Sequence, residues 1–469
     1  FAPSPTGYLH IGGLRTALYS YLYAKKMHGK FILRIEDTDQ GRYVDGAVEI
    51  IYRTLHETGI MYDEGPDVGG DYGPYIQSQR KNEYLKYAKQ LVESGHAYYC
   101  FCSEERLASL PDVNGARRYD KHCLSLSKEE VQRRLAAGEK YVIRQNMPTE
   151  GSTTYHDAVY GDITIENSEL EDQILIKSDG MPTYNFANVI DDHLMAINCV
   201  MRGIEYLSST PKYNLLYDAF GWEIPVYVHC PPVMKDAQNK LSKRNGDASY
   251  EDLIKKGFLK DAIINYIALL GWSPKDDSEK MSFAELEQKF DISGINKSPS
   301  IFDPMKLAWL NSLYIKEMTA EDFASYATPW IESCPLKNFD KTLVCKLIQS
   351  RIETFAEIED KLRFLWEFGP FDSNLYVNQK QKTDADTARA ILPLVREKFA
   401  NVEVWDNAHL YESLVQLATE QGVKNGKVLW PARIALTGLA ATPGGASEIA
   451  EIIGKEETLR RLDMSLAQL

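Results

Sequence analysis

The chain has 469 residues, 44% of them hydrophobic and 26% charged, with seven cysteines and a formal net charge of −14. This composition excludes disordered and collagen-like classes and fits a globular protein long enough for several cores. The acidic balance excludes wholesale coating of nucleic acid and leaves room only for local basic surfaces. The longest apolar runs, such as AIINYIALLGW, are too short and too polar to cross a bilayer, and isolated cysteines in odd number suit a reducing compartment, the cytoplasm by default.

The opening stretch FAPSPTGYLHIGG puts loop-forming residues ahead of a helix. Residues 14–28 carry Leu14, Leu18 and Leu22 on one face, widened by Ala17, Tyr21 and Ala24, with Gly29 as the stop. KFILRIEDTD reads as a short apolar strand ending in acids, and a second helix runs from about Asp45 to Thr58 and stops at Gly59. Loop, helix, strand and helix in this order predict a parallel α/β sheet. After the helix of NEYLKYAKQLVESG the pattern becomes mixed up to about residue 180, with short strands in VIRQNMP and YGDITIEN, so an insertion with its own fold is expected to split the first domain. Strands and helices in α/β style resume from QILIKSDG. The polar and basic loop VMKDAQNKLSKRNGDAS follows a proline pair, and beyond about residue 316 nearly every segment has helix periodicity. The expected division is 1–80 with 181–225, an insertion at 81–180, a segment at 226–315 carrying the basic loop, and an all-helical region at 316–469. No internal repeat or low-complexity tract is evident.

Two stretches carry chemistry. Pro3 and Pro5 stiffen a strand exit, Gly7 permits a turn, and Gly12 with Gly13 lets a ligand approach the backbone where a helix begins. A helix N-terminus is an anion site, so a nucleotide phosphate is a natural guest, with His10 as a donor to developing negative charge. A tight strand-to-helix connection with a surface histidine is the plain alternative. No lysine follows the glycines, so this is no P-loop. In the second stretch, Lys240, Ser242, Lys243 and Arg244 of KLSKRNG form a basic loop that can neutralise a pentavalent phosphate as pyrophosphate leaves; a solvated basic loop is its plain reading.

Together these stretches resemble the paired signatures of class I aminoacyl-tRNA synthetases. APSPTGYLHIGG, RIEDTD, KSDGMPTYNFANVIDD, KLSKR and IINYIALLGWS resemble, in that order, the bacterial-type glutamyl-tRNA synthetases over nearly the whole chain. The resemblance implies a Rossmann-type catalytic domain, an inserted α+β domain for the tRNA acceptor end, a stem-contact domain with the KLSKR loop, and an all-α anticodon-binding tail. It implies ATP with Mg²⁺, L-glutamate and tRNA(Glu) as substrates, a ligase reaction through glutamyl-adenylate, and a monomer. Pro3, Thr6, Gly7, His10, Gly12, Gly13, Lys240, Ser242, Lys243 and Arg244 match ATP-binding positions, with His10, Lys240 and Lys243 catalytic. Ala2, Ser4, Glu36, Tyr184, Asn188 and Arg202 match positions around glutamate, and Glu205 one beside the nucleotide and the tRNA terminus. Glu36 suits the substrate ammonium, Arg202 a carboxylate, and Tyr184 can donate a hydrogen bond to one. The family pattern also has an arginine two residues before Ala2, ahead of the first residue here.

Glutaminyl-tRNA synthetases, the nearest rival family, typically have glutamate at the place of Ser4, asparagine at that of Thr6, and a β-barrel tail. A non-catalytic tRNA-binding relative would lack His10, Lys243 or Glu36, and all three are present.

Cys100 and Cys102 lie two apart, on one face if they share a strand, and a third thiolate from nearby Cys123 can join them around zinc. Some members of the family use a Tyr-x-x-x-Cys pair, which implies Tyr119 with Cys123; others place histidine where Ser125 stands. The metal would be structural. For tRNA, ARRYDKH is expected to meet the acceptor end and the helical tail the anticodon, with Arg351 at a position held by arginine in enzymes strict for glutamate anticodons.

Overall fold

The computed structural model describes residues 1–113, 116–241, 249–335 and 339–469. These form two compact units, one of residues 1–253 with 263–303 and one of 254–262 with 304–469.

In the first unit the apolar run Phe31–Glu36 is buried and extended between two neighbours. Leu33 and Ile35 donate their N–H groups to Glu64 and Tyr75, while Arg34 and Glu36 donate theirs to Phe1 and Pro3. Both edges are thus hydrogen-bonded, and all six residues are buried, the charged Arg34 and Glu36 included. The helix after the opening loop spans Ile11–Lys26, three residues earlier than the apolar stripe suggested, because His10 itself caps it. Its far end turns on His28, at φ 53, rather than on Gly29; Gly29 N–H then reaches back to Ala24 O. The second helix covers Ala47–Thr58 and closes, as expected, on a left-handed Gly59.

A four-stranded sheet has the order Gly161–Glu166, Ser152–Asp157, Val226–Cys230, Cys199–Gly203. The last two strands are parallel, with Arg202 opposite His229, and Asp157 pairs in parallel with Tyr227. Sequence reading put the 152–166 hairpin inside a separately folding insertion; it is instead the continuation of the sheet that carries Arg202. Strand pairing is non-local, so alternation within the hairpin held no information about its partner. A second, antiparallel sheet of Ala97–Cys100, Val142–Gln145 and Ile174–Ile176 buries Ala97, Ile143, Leu175 and Ile176 against Tyr84, Leu91, Phe186, Tyr213 and Leu216 from three flanking helices.

The second unit is helical. Pro329, Pro393 and Pro431 lie inside helices Ala320–Ser333, Ala385–Ala400 and Gly426–Thr437, all within the region expected to be helical. The periodic run KTLVCKLIQSRIETFAEIEDKLRFLWEF is not one helix but Lys341–Ile348, then short turns and helix Ile358–Leu362. The last helix, Ala446–Gln468, breaks at Gly454, where φ is 80°. Arg461, 1% exposed, lies beyond that break and donates to the carbonyls of Phe364, Leu365 and Leu436 at 2.8–2.9 Å and to Glu457 at 2.7 Å.

Candidate active site

A cavity of about 1570 Å³ in the first unit is lined by Ala2, Ser4, Thr6, Gly13, Glu36, Tyr184, Asn188, Arg202 and Glu205 among others. Residues from separate stretches of the chain thus line one cavity. Ala2 and Ser4 come from the opening loop and Glu36 from the end of the buried extended run; Tyr184 and Asn188 stand one turn apart on helix Tyr184–Leu194. Arg202 comes from strand Cys199–Gly203 and Glu205 from the turn after it.

His10 is the N-cap of its helix, and its Nδ1 accepts the N–H of Gly12 at 3.0 Å. One of the N–H groups expected to serve a phosphate is therefore taken by the histidine. Because Nδ1 accepts, the neutral ring carries its proton on Nε2, the form that can donate. Gly7 adopts φ 117°, a left-handed turn that an L side chain would strain. Pro3 accepts the N–H of Glu36, which ties the opening loop to the acidic end of the extended run. Lys240 is exposed and bridges back to Met234. Ser242, Lys243 and Arg244 lie outside the described residues.

Behind Glu36 is a buried ionic group that the sequence did not reveal. Arg34 Nη2 donates to Glu36 at 3.0 Å and Arg34 Nη1 to Asp192 at 2.8 Å. Arg80 Nε donates to Asp191 at 2.7 Å, and Gln77 and Tyr84 donate to the same carboxylate at 2.8–3.0 Å. Arg34, Arg80, Glu36, Asp191 and Asp192 are each at most 8% exposed. Of this group Arg34, Glu36 and Asp192 line the cavity, while Arg80 and Asp191 lie behind them. Burial pushes the Glu36 carboxyl up to about 7, although Arg34 pulls it down. Burial also raises the Tyr184 phenol well above its usual range, so it stays a donor.

Arg202 is 8% exposed, held by His229 at 3.1 Å and Thr210 at 2.9 Å. Asn188 donates to Tyr184 O at 2.7 Å, which fixes its amide orientation.

The cysteine cluster is a second centre. The strand ends at Cys100, so Cys102 is not carried on it; the turn brings it round, and the Sγ atoms of Cys100, Cys102 and Cys123 all lie within 4.8 Å of one another. Cys102 and Cys123 are 3.5 Å apart, and the Tyr119 hydroxyl is 3.2 Å from Cys100 Sγ and 3.5 Å from Cys102 Sγ. Sulfurs around a tetrahedral zinc stand about 3.8 Å apart, so the donor set fits that ion. Hydrogen bonds from Cys123 and then Tyr119, against the opposing effect of burial, hold the Cys100 thiol well below its ordinary range. The Arg144 guanidinium lies 4.1 Å over the Tyr119 ring. His122 and Ser125 are exposed, outside the cluster. Arg351 is exposed in the turn after helix Lys341–Ile348 and not on a helix surface.

Known proteins are similar to this chain over its whole length. The family model described as tRNA synthetases class I (E and Q), catalytic domain, matches residues 1–309, and that of an anticodon binding domain matches residues 320–466. A glutamate–tRNA ligase of Clostridium novyi is 56% identical over 473 residues, covering 100% of this chain and 97% of its own, and that of Clostridium kluyveri is 55% identical with the same coverage. The crystal structure of a glutamate tRNA ligase from Elizabethkingia meningosepticum in complex with its amino acid superposes with a TM-score of 0.89 at 34% identity, covering 100% of this chain and 98% of that one. The chain belongs to the glutamate–tRNA ligase family of the class I tRNA synthetases.

Proposed function

We propose that the chain is a glutamate–tRNA ligase. The convergence of Ala2, Ser4, Glu36, Tyr184, Asn188 and Arg202 on one cavity beside the N-terminus of helix Ile11–Lys26 carries this reading. The glutamate α-carboxylate attacks the α-phosphorus of ATP, which enters with Mg²⁺, and pyrophosphate leaves; a hydroxyl of the 3′-terminal adenosine of tRNA(Glu) then attacks the acyl carbon of the adenylate and AMP leaves. No step needs a covalent enzyme intermediate, so orientation and charge supply the catalysis. Glu36, held from behind by Arg34, receives the substrate ammonium; Tyr184 and Arg202 take a carboxylate. Pro3, Thr6, Gly7, Gly12 and Gly13 shape the nucleotide side, where His10 donates through Nε2 to developing phosphate charge. Lys240, Ser242, Lys243 and Arg244 neutralise the leaving pyrophosphate, and Glu205 stands beside the nucleotide and the tRNA end. Residues 81–180 apart from the 152–166 hairpin take the acceptor end, 226–315 the stem and 316–469 the anticodon, Arg351 included.

ATP–pyrophosphate exchange tests this: exchange with glutamate in the presence of tRNA is expected. Exchange with glutamine but not glutamate would overturn the substrate, and no exchange with any amino acid would leave only a tRNA-binding protein.

The raised Glu36 carboxyl makes glutamate binding pH-dependent. Below its pKa the group is neutral and offers the ammonium no charge; above it the carboxylate is formed. KM for glutamate is therefore expected to fall as pH rises from about 6 to about 8, with protons released on binding near neutrality. In Glu36→Gln this trend should vanish. A KM that stays flat in the wild type across that interval argues against the assignment.

We also assign a structural zinc to Cys100, Cys102, Tyr119 and Cys123. The ion would cross-link the strand end to the turn carrying Tyr119 and Cys123. Protein purified without chelators should contain about one zinc per chain, and Cys102→Ser should remove most of it; a zinc content near zero in the wild type sinks the assignment.

A further inference from the structure

We propose that Asp157 and His229 are positioning residues that set the guanidinium of Arg202 for the substrate carboxylate. This rests on the reading of Arg202 given above. Arg202 and His229 face each other across the two parallel strands, and the hairpin that extends the sheet delivers Asp157 next to them. Both Asp157 and His229 are fully buried, behind the cavity wall that Arg202 lines.

The hydrogen bonds leave one consistent proton arrangement. Asp157 Oδ1 accepts the N–H groups of Val159 and Tyr160 at 2.9 and 2.8 Å, and Oδ2 that of His229 at 3.1 Å. A carboxylate so surrounded by donors stays ionised, and an ionised carboxylate only accepts. His229 Nδ1, 2.6 Å from Oδ2, must therefore carry a proton. Its Nε2 is 3.1 Å from Arg202 Nε, which can only donate, so Nε2 must present a lone pair. The imidazole is thus neutral with its single proton on Nδ1. Burial lowers the His229 pKa, in the direction this arrangement needs.

Thr210 completes the mount. Its hydroxyl donates to Tyr206 O at 2.8 Å, so its oxygen is left to accept Arg202 Nη2 at 2.9 Å. The rings of Tyr206, Tyr213 and Tyr227 stand 5.3, 4.8 and 5.2 Å from the guanidinium carbon. Among the described residues Nε and one Nη2 hydrogen are spent on the wall, which leaves Nη1 and the other Nη2 hydrogen for a ligand in the cavity. A histidine held as the other tautomer would point N–H at N–H and rotate the fork out of place. Asp157 thus acts on the substrate through two intermediaries and touches none of it.

The test uses the full chain in tRNA-dependent pyrophosphate exchange, with KM read separately for glutamate and ATP. His229→Asn keeps an amide N–H at the Nδ1 position for Asp157 but removes the acceptor for Arg202. His229→Gln supplies an oxygen near the Nε2 position. Losing a hydrogen bond to a charged group predicts a rise of about ten- to hundred-fold in glutamate KM for His229→Asn, with ATP KM unchanged, and recovery of most of it in His229→Gln. Equal losses in both variants, or a parallel rise in ATP KM, overturn the proposal. Should the His229 variants not fold, Asp157→Asn, which allows the amide to donate to Nδ1 and so favours the wrong tautomer, decides in the same assay: glutamate KM must rise alone. Arg202→Lys separates the two readings. If it leaves glutamate KM unchanged, the assignment of Arg202 fails; if it raises KM while His229→Asn does not, only the positioning role fails.

Discussion

Asp191→Ala is expected to lower the stability of the first unit by about 3–5 kcal/mol, the range for removing one partner of a buried ion pair. Its carboxylate is wholly buried and receives Arg80, Gln77 and Tyr84, with Arg34 Nε at 3.7 Å. Taking it away leaves two buried guanidiniums with fewer acceptors, a tyrosine hydroxyl without its partner, and a cavity that Ala cannot fill. Asp191→Asn keeps the shape and one oxygen, so it should lose distinctly less. The effect is also functional, because Arg34 is shared with Glu36 and a displaced Arg34 moves the floor of the amino-acid site. Denaturant unfolding together with limited proteolysis checks this: Asp191→Ala should shift the midpoint and open cleavage sites within residues 1–253. A loss under about 1 kcal/mol would mean that water replaces the carboxylate without cost, contrary to its burial.

The counterpart in the helical unit is Arg461→Ala, with a similar expected loss of about 3–5 kcal/mol. Leu436 lies in the last turn of helix Gly426–Thr437, where carbonyls have no partner within the helix. Arg461 satisfies that carbonyl together with those of Phe364 and Leu365, and so joins three segments that have no sequence proximity. Arg461→Met retains the aliphatic volume but not the fork. If packing alone mattered it would behave as wild type; the hydrogen-bond reading expects it to lose nearly as much as Ala. Cleavage should then appear within residues 304–469 and spare the first unit.

Much of the site was legible in the residues. Ala2, Ser4, Glu36, Tyr184, Asn188, Arg202 and Glu205 belong to motifs distinctive enough to be placed one by one, and the structure brings all seven to one cavity. The cysteines and Tyr119 were also legible, although the strand geometry first invoked for Cys102 does not hold. What stayed hidden was everything set by non-local pairing. Asp191 and Asp192 sit on a helix whose apolar spacing is ordinary, and nothing near residue 191 announces Arg34 or Arg80. His229 lies in an apolar strand and Asp157 ends a hairpin that was assigned elsewhere. Sequence periodicity reports which face of an element is buried, but not what charge waits on the other side. The ends of helix Ile11–Lys26 were missed for a different reason: a histidine took the N-cap and another the left-handed turn, positions where Ser, Asp or Gly would have been expected.

The burial of the Glu36 carboxylate in the cavity wall has a consequence for selectivity. Under the proposed assignment, a dicarboxylic acid of the same length without its amine, such as glutarate or 2-oxoglutarate, matches every contact made by the carboxylates of glutamate. It brings no cation, however, so Glu36 must either keep its buried charge against Arg34 without the added ammonium or take up a proton, and in neither case does the ligand offset its burial. The pocket thereby rejects deaminated look-alikes by what it lacks rather than by a clash, and a cell rich in such acids leaves the enzyme open to its own amino acid.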